Sequence, residues 1–197
     1  MKASRKRTLA FLLASIICLT LCQPLALAIV KEDGIAILES SDIKVVTVNK
    51  KKAFNLSPKD FSDAYNSLIW ELADSEEDAR WMLYGDVALM NEETHKSTKF
   101  NMNGSSLYFI STSNSLTKGK IRQIQVELFH DDESFGVVLA TVLYMVHVYD
   151  EDVVTDVAAK VVDAVDSGKE KISFTKGKIK YTIENSDGVT WIYISPK

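Results

Sequence analysis

With 197 residues, 46% of them hydrophobic, the chain is long enough to bury one sizeable core, and one folded domain is the natural count. Its net charge of −4 argues against nucleic acid and anionic membrane surfaces as partners, since both are recognised by clustered Lys and Arg. The only two cysteines, Cys18 and Cys22, both fall in the first segment, so the rest of the chain can form no disulfide, thiolate metal site or cysteine nucleophile.

That first segment has the layout of a secretory signal peptide. Lys2, Arg5, Lys6 and Arg7 precede an apolar run from Leu9 to Cys22, and Ala26-Leu27-Ala28 supplies small residues for cleavage. The apolar run is shorter than the about 20 residues of a membrane anchor. Leu21 before Cys22 departs from the small residue that bacterial lipoprotein signals carry there. Residues 1–28 are therefore expected to be removed on export, leaving no membrane span. Loss of four basic and no acidic residues carries the net charge from −4 to −8. The expected location is secreted or periplasmic, in a bacterium.

Residues 29–42 read as an N-terminal lead and 43–197 as a single α+β domain. Residues 42–49 are β-branched and strand-like, and Lys50-Lys51-Lys52 reads as a solvated loop. A helix over 58–73 is well marked. Ser57 is placed as N-cap, Pro58 at the first helical position, and Asp60 near the positive end of the helix dipole. Leu56 and Phe61 are spaced as a hydrophobic staple, and Phe61, Tyr65, Leu68, Ile69 and Leu72 form an apolar stripe. Residues 74–80 are a charged connector.

From 82 to 129 the period changes to two. Segments 82–91, 96–103, 106–113 and 120–129 read as antiparallel strands, with Asn103-Gly104 and Lys118-Gly119 as turns. Residues 135–149 are apolar nearly all round, which suits a buried helix or a buried strand; the length favours helix. Val153, Val154, Val157, Ala158, Val161, Val162 and Val165 then share one helical face, and Gly168 is placed for the C-cap. The stretch 135–167 should form one bent helix or two packed ones. The chain closes with strands at 171–184 and 189–195 around Asn185–Gly188.

The expected architecture is an antiparallel sheet of about five to seven strands, with the helix at 58–73 and the helical segment at 135–167 packed on one face. The two strand–helix–hairpin halves match in outline, as an internal duplication would, but share no repeated residues. The element order is similar to that of TATA-binding-protein-like and β-lactamase-inhibitor-like α+β folds; a likeness of order alone implies no function.

Two groups of residues stand out as sites. His130, Asp131, Asp132 and Glu133 form a run of potential metal ligands or acid/base groups. A metal-binding protein or hydrolase would use His130, Asp131 and Glu133. However, adjacent residues do not converge on one ion, and His147 is 17 residues away, about 20 Å along a helix. Capping of the following helix explains the run more simply. His147 reads as a core or helix-end residue whose cationic form the dipole would favour, and His95 as an exposed turn residue.

The second group is on the last strand, where both faces are apolar: Trp191 and Tyr193 on one, Ile192 and Ile194 on the other. A four-residue loop at 185–188 puts Tyr181 and Ile183 on the isoleucine face, leaving Trp191 and Tyr193 beside Lys178, Lys180 and Thr182. A type I turn with a bulge at Gly188 reverses the parity. Trp191, Tyr193 and Lys180 are thus candidates for an aromatic–lysine binding patch, against the plainer reading of a strand buried on both sides. Together these features describe a small exported, non-catalytic domain that binds a protein or small ligand in the cell envelope or outside the cell, and they call for no cofactor.

Overall fold

A computed structural model describes residues 43–72, 84–91, 96–101, 106–113, 115–129, 134–147, 150–186 and 188–197. The segment 1–28, the lead 29–42, the connector 74–80, His95, the turn at Asn103-Gly104 and the run His130–Glu133 fall outside the described residues.

The protein is α+β. Strands β1 (Val45–Val48) and β2 (Lys51–Phe54) form a small hairpin, followed by helix α1 (Pro58–Leu72). Strands β3 (Tyr84–Asn91), β4 (Lys96–Asn101), β5 (Ser106–Ser111) and β6 (Ile121–Phe129) come next. Helices α2 (Ser134–Val146) and α3 (Glu151–Asp166) precede β7 (Lys171–Lys176), β8 (Ile179–Ser186) and β9 (Val189–Pro196). The last seven strands make one antiparallel sheet in the order β3-β4-β5-β6-β9-β8-β7. After β6 the chain crosses one face as α2 and α3, enters again at the far edge as β7, and returns by two hairpins until β9 pairs with β6.

Local chemistry accounts for the helix boundaries. The Ser57 Oγ accepts from the Asp60 N–H at 3.2 Å, and the Asp60 carboxylate accepts from the Ser57 N–H at 3.3 Å, a reciprocal cap that satisfies two otherwise orphaned donors. Asp150 caps α3 by accepting from the Val153 N–H at 3.1 Å. Beyond the other end, Gly168 adopts φ +67°, a left-handed conformation that suits glycine. The ambiguous apolar run is helical, and it breaks from α3 at Asp150, giving two packed helices.

Two turns differ from expectation. Residues 45–54 are a hairpin, not a strand followed by a loop, because Asn49 and Lys50 both take positive φ (51° and 63°), as a two-residue hairpin turn requires. Lys51 and Lys52 are therefore strand residues. Likewise 171–184 is not one strand: it folds back at Gly177 (φ 57°) into β7 and β8. At the last hairpin Ser186 pairs with Val189, so the loop is two residues long.

The sheet has one covered face. Leu107 and Phe109 on β5, Ile124, Val126 and Leu128 on β6, Ile192 and Ile194 on β9, and Tyr181 and Ile183 on β8 all point to it and are buried. They are cross-strand neighbours, Val126 opposite Ile192 and Ile192 opposite Ile183. α2 sits between α1 and α3 with every residue from Val138 to Val146 buried, which explains its lack of a polar face. α3 contributes Val154, Val157, Ala158 and Val161, and α1 contributes Phe61, Ala64, Tyr65, Leu68 and Ile69. Ala53 and Phe54 of the small hairpin join them at the end of the sheet near β6 and β9.

Tyr65 is fully buried and its hydroxyl has no hydrogen-bond partner among the described residues. Desolvation raises its pKa far above the usual phenol value. An unpaired buried hydroxyl lowers stability, so Tyr65→Phe should raise it by about 1 kcal/mol in urea unfolding. A loss of stability would show that the hydroxyl is paired.

Candidate functional site

Among the described residues no helix packs on the opposite face of the same sheet. Residues that alternate with the buried set point there: Tyr108 on β5, Gln123, Gln125 and Glu127 on β6, Trp191 and Tyr193 on β9, and Lys180, Thr182 and Glu184 on β8. Trp191 and Tyr193 are only partly buried. Their rings are 6.3 Å apart and within 13° of coplanar orientation, and Tyr108 approaches Trp191 at 5.6 Å with a 43° tilt. Three aromatic rings thus run obliquely across β5 and β9, although β5 and β9 are not themselves adjacent.

Polar groups hold this row in place. The Tyr108 hydroxyl donates to Glu127 Oε2 at 3.0 Å, and the Tyr193 hydroxyl donates to Glu184 Oε2 at 3.1 Å. Glu127 and Glu184 are the direct cross-strand neighbours of Trp191, one on each side. The Lys171 ammonium also bonds to Glu184, and this bond is the first cause of a carboxyl pKa below the usual range. Partial burial, with Glu184 close by, pushes the Tyr193 phenol up to about 12. The Gln125 amide donates to Gln123 at 2.7 Å. The surface therefore offers flat π faces edged by carboxylate and amide groups that can accept or donate hydrogen bonds.

Of the residues that stood out in the sequence, Trp191, Tyr193 and Lys180 do lie on one face. Lys180 pairs with Ser195, one outward position beyond Tyr193, while Thr182 lies opposite Tyr193. Lys178 is in the β7–β8 turn and not beside the rings. Tyr108 had no local signal; its place beside Trp191 depends on β6 lying between β5 and β9. The metal candidates His130, Asp131 and Glu133 are outside the described residues, and among the described residues no three His, Cys, Asp or Glu side chains gather to hold an ion.

His147 belongs to a different place. It follows α2 and lines a groove of about 410 Å³ with Ile43, Val45, Val153, Lys176 and Ile179. Its Nε2 is 2.6 Å from the Tyr181 hydroxyl, and the Tyr181 ring stacks on Phe174 at 5.0 Å. His147 is thus a satisfied helix-end residue, as its sequence position suggests, but the pull of the helix dipole toward the cation does not prevail. Desolvation outweighs the favourable charge of Asp150 and, with Lys176 nearby, lowers its pKa to about 4. Lys176 is itself paired with Asp156 at 2.8 Å. A neutral imidazole bonded to a buried phenol ties the end of α2 to β8.

Among the described residues no helix is long and apolar enough to cross a membrane. Comparison of the chain with protein-family models, with curated proteins and with solved structures finds no match.

Proposed function

We propose that the protein is an exported binding domain whose recognition surface is the helix-free face of the seven-stranded sheet, centred on Trp191. Residues 1–28, with their basic start, short apolar run and Ala-Leu-Ala ending, support export. The observation that carries the binding role is the row Tyr108–Trp191–Tyr193, three partly exposed rings in mutual contact on a face where the alternating pattern elsewhere places polar residues. Scattered surface aromatics need no explanation, but rings gathered into one patch mark interaction sites. The two tyrosine rings are fixed by their carboxylate partners, so little of their side-chain entropy is lost when a ligand settles on them.

The test is a fluorescence titration of the purified protein against neutral glycans, acidic glycans, peptides and single-stranded oligonucleotides. Trp191→Ala should weaken whichever ligand binds by about tenfold or more, as expected for a central aromatic contact. Binding left unchanged by Trp191→Ala would remove the surface from consideration.

A further inference from the structure

One end of the same face is basic. The register of β5 with β6 slips by one residue, from Ile110 opposite Gln123 to Ser111 opposite Ile121, which leaves Arg122 without a β5 partner. Arg122 and Gln123 consequently line one depression of about 340 Å³, together with Lys51, Lys52, Ser195 and Pro196. The Lys52 ammonium is bound to the Lys197 carbonyl at 2.6 Å. Lys51 and Arg122 form no ion pair among the described residues, whereas Lys59, Lys160, Lys171 and Lys176 each pair with a carboxylate. Among the described residues no acidic side chain lines the depression. In a chain of net charge −4, Lys51 and Arg122, two cations with no carboxylate partner among the described residues, favour an anion here.

The depression is continuous with the aromatic row. Ser195 is two residues beyond Tyr193 on β9, about 7 Å along the strand. Resting on the binding role given above, we infer that this face takes an acidic polysaccharide, with sugar rings on Trp191 and Tyr193 and a carboxylate of the same chain in the Lys51–Arg122 depression. Flat, nearly parallel rings suit the C–H faces of sugars, and Gln125, Thr182, Glu127 and Glu184 flank them with partners for hydroxyl groups. A nucleic acid would fit less well. It brings a phosphate with every stacked base, and Glu127 and Glu184 stand on both sides of Trp191 where those phosphates would pass.

The experiment compares polygalacturonate, its carboxyl-reduced form and single-stranded DNA of similar length by calorimetry with the purified protein. Polygalacturonate should bind about tenfold or more tightly than the reduced form, and the preference should shrink as salt is raised. The double variant Lys51→Gln, Arg122→Gln changes two solvent-facing cations and should abolish the preference while leaving the reduced form bound as before. Trp191→Ala, with Tyr193→Ala as a second variant should the first misfold, should weaken both polysaccharides. The inference is overturned if polygalacturonate does not bind, binds no better than its reduced form, keeps its preference in the double variant, or is outcompeted by DNA. If the double variant has no effect while Trp191→Ala still weakens binding, only the acidic-ligand assignment fails. If Trp191→Ala has no effect on a bound ligand, the binding surface itself fails.

Discussion

Lowering the pH from 7 to 4.5 should cost the protein about 2 kcal/mol of stability through His147 alone. The folded-state pKa of about 4 lies below the ordinary value of 6.5, so the unfolded chain takes up the proton first. The stabilisation is complete above about pH 6.5 and declines as the pH falls toward 4, the window in which only the unfolded state is protonated. The interval between the two values corresponds to about 3 kcal/mol. The ring is only partly buried, and solvent screening reduces this to about 2 kcal/mol. Asp156 and Glu184 also have lowered pKa values and add acid sensitivity nearer their own range. His147→Asn separates the contributions: it removes the titrating ring and leaves the carboxylates. Urea unfolding at intervals from pH 7 to 4.5 should show a slope in the parent protein that is largely lost in the variant. Equal slopes would mean that His147 is not held neutral against Tyr181.

Gly119→Ala should be comparably damaging, at about 2 kcal/mol, or a fall in Tm of roughly 4–8 °C. A Cβ at this position would lie 2.9 Å from the carbonyl oxygens of both Ser113 and Ser115 and 3.0 Å from Ser111 Oγ. Two of these three atoms are backbone, and the turn that holds them is tightly bonded. The Gly119 N–H donates to Ser115 at 3.0 Å, and the Thr112 N–H donates to the Lys120 carbonyl at 2.9 Å. Relief of the clash must break this turn, which leads directly into the irregularity that frees Arg122. The variant should therefore also weaken acidic-ligand binding more than binding of an uncharged one. Thermal unfolding checks the first effect, and an unchanged Tm would show that the turn can yield.

The features legible in the sequence were those decided within a few residues. Ser57, Pro58 and Asp60 announce α1 because a cap is made from its own neighbours. The alternation of Ile124, Val126 and Leu128 with Gln123, Gln125 and Glu127 likewise separates the covered face of β6 from the open one. The turns at Asn49-Lys50 and Gly177-Lys178 were missed because one glycine or asparagine among lysines signals weakly, and only the positive φ angles reveal them. The hairpin at Gly188 kept the parity of the longer-loop alternative with a shorter loop, so Tyr181 joined the buried isoleucines and Trp191 did not.

The candidate site was legible only in part. Trp191, Tyr193 and Lys180 sit on one short hairpin, so their relation depends on a single turn. Tyr108, Arg122 and Lys51 are brought there by long-range pairing, β6 with β9 and the small hairpin against the sheet end, which no local pattern encodes. The His147–Tyr181 bond spans 34 residues for the same reason.

The central claim is that ligand binds on the helix-free face, and amide chemical-shift mapping during titration with polygalacturonate fragments tests it most directly. The account predicts shifts concentrated at Tyr108, Gln123, Gln125, Trp191, Tyr193 and Ser195, running from the aromatic row to Arg122. Shifts gathered around His147 and Lys176, or none at saturating ligand, would contradict it.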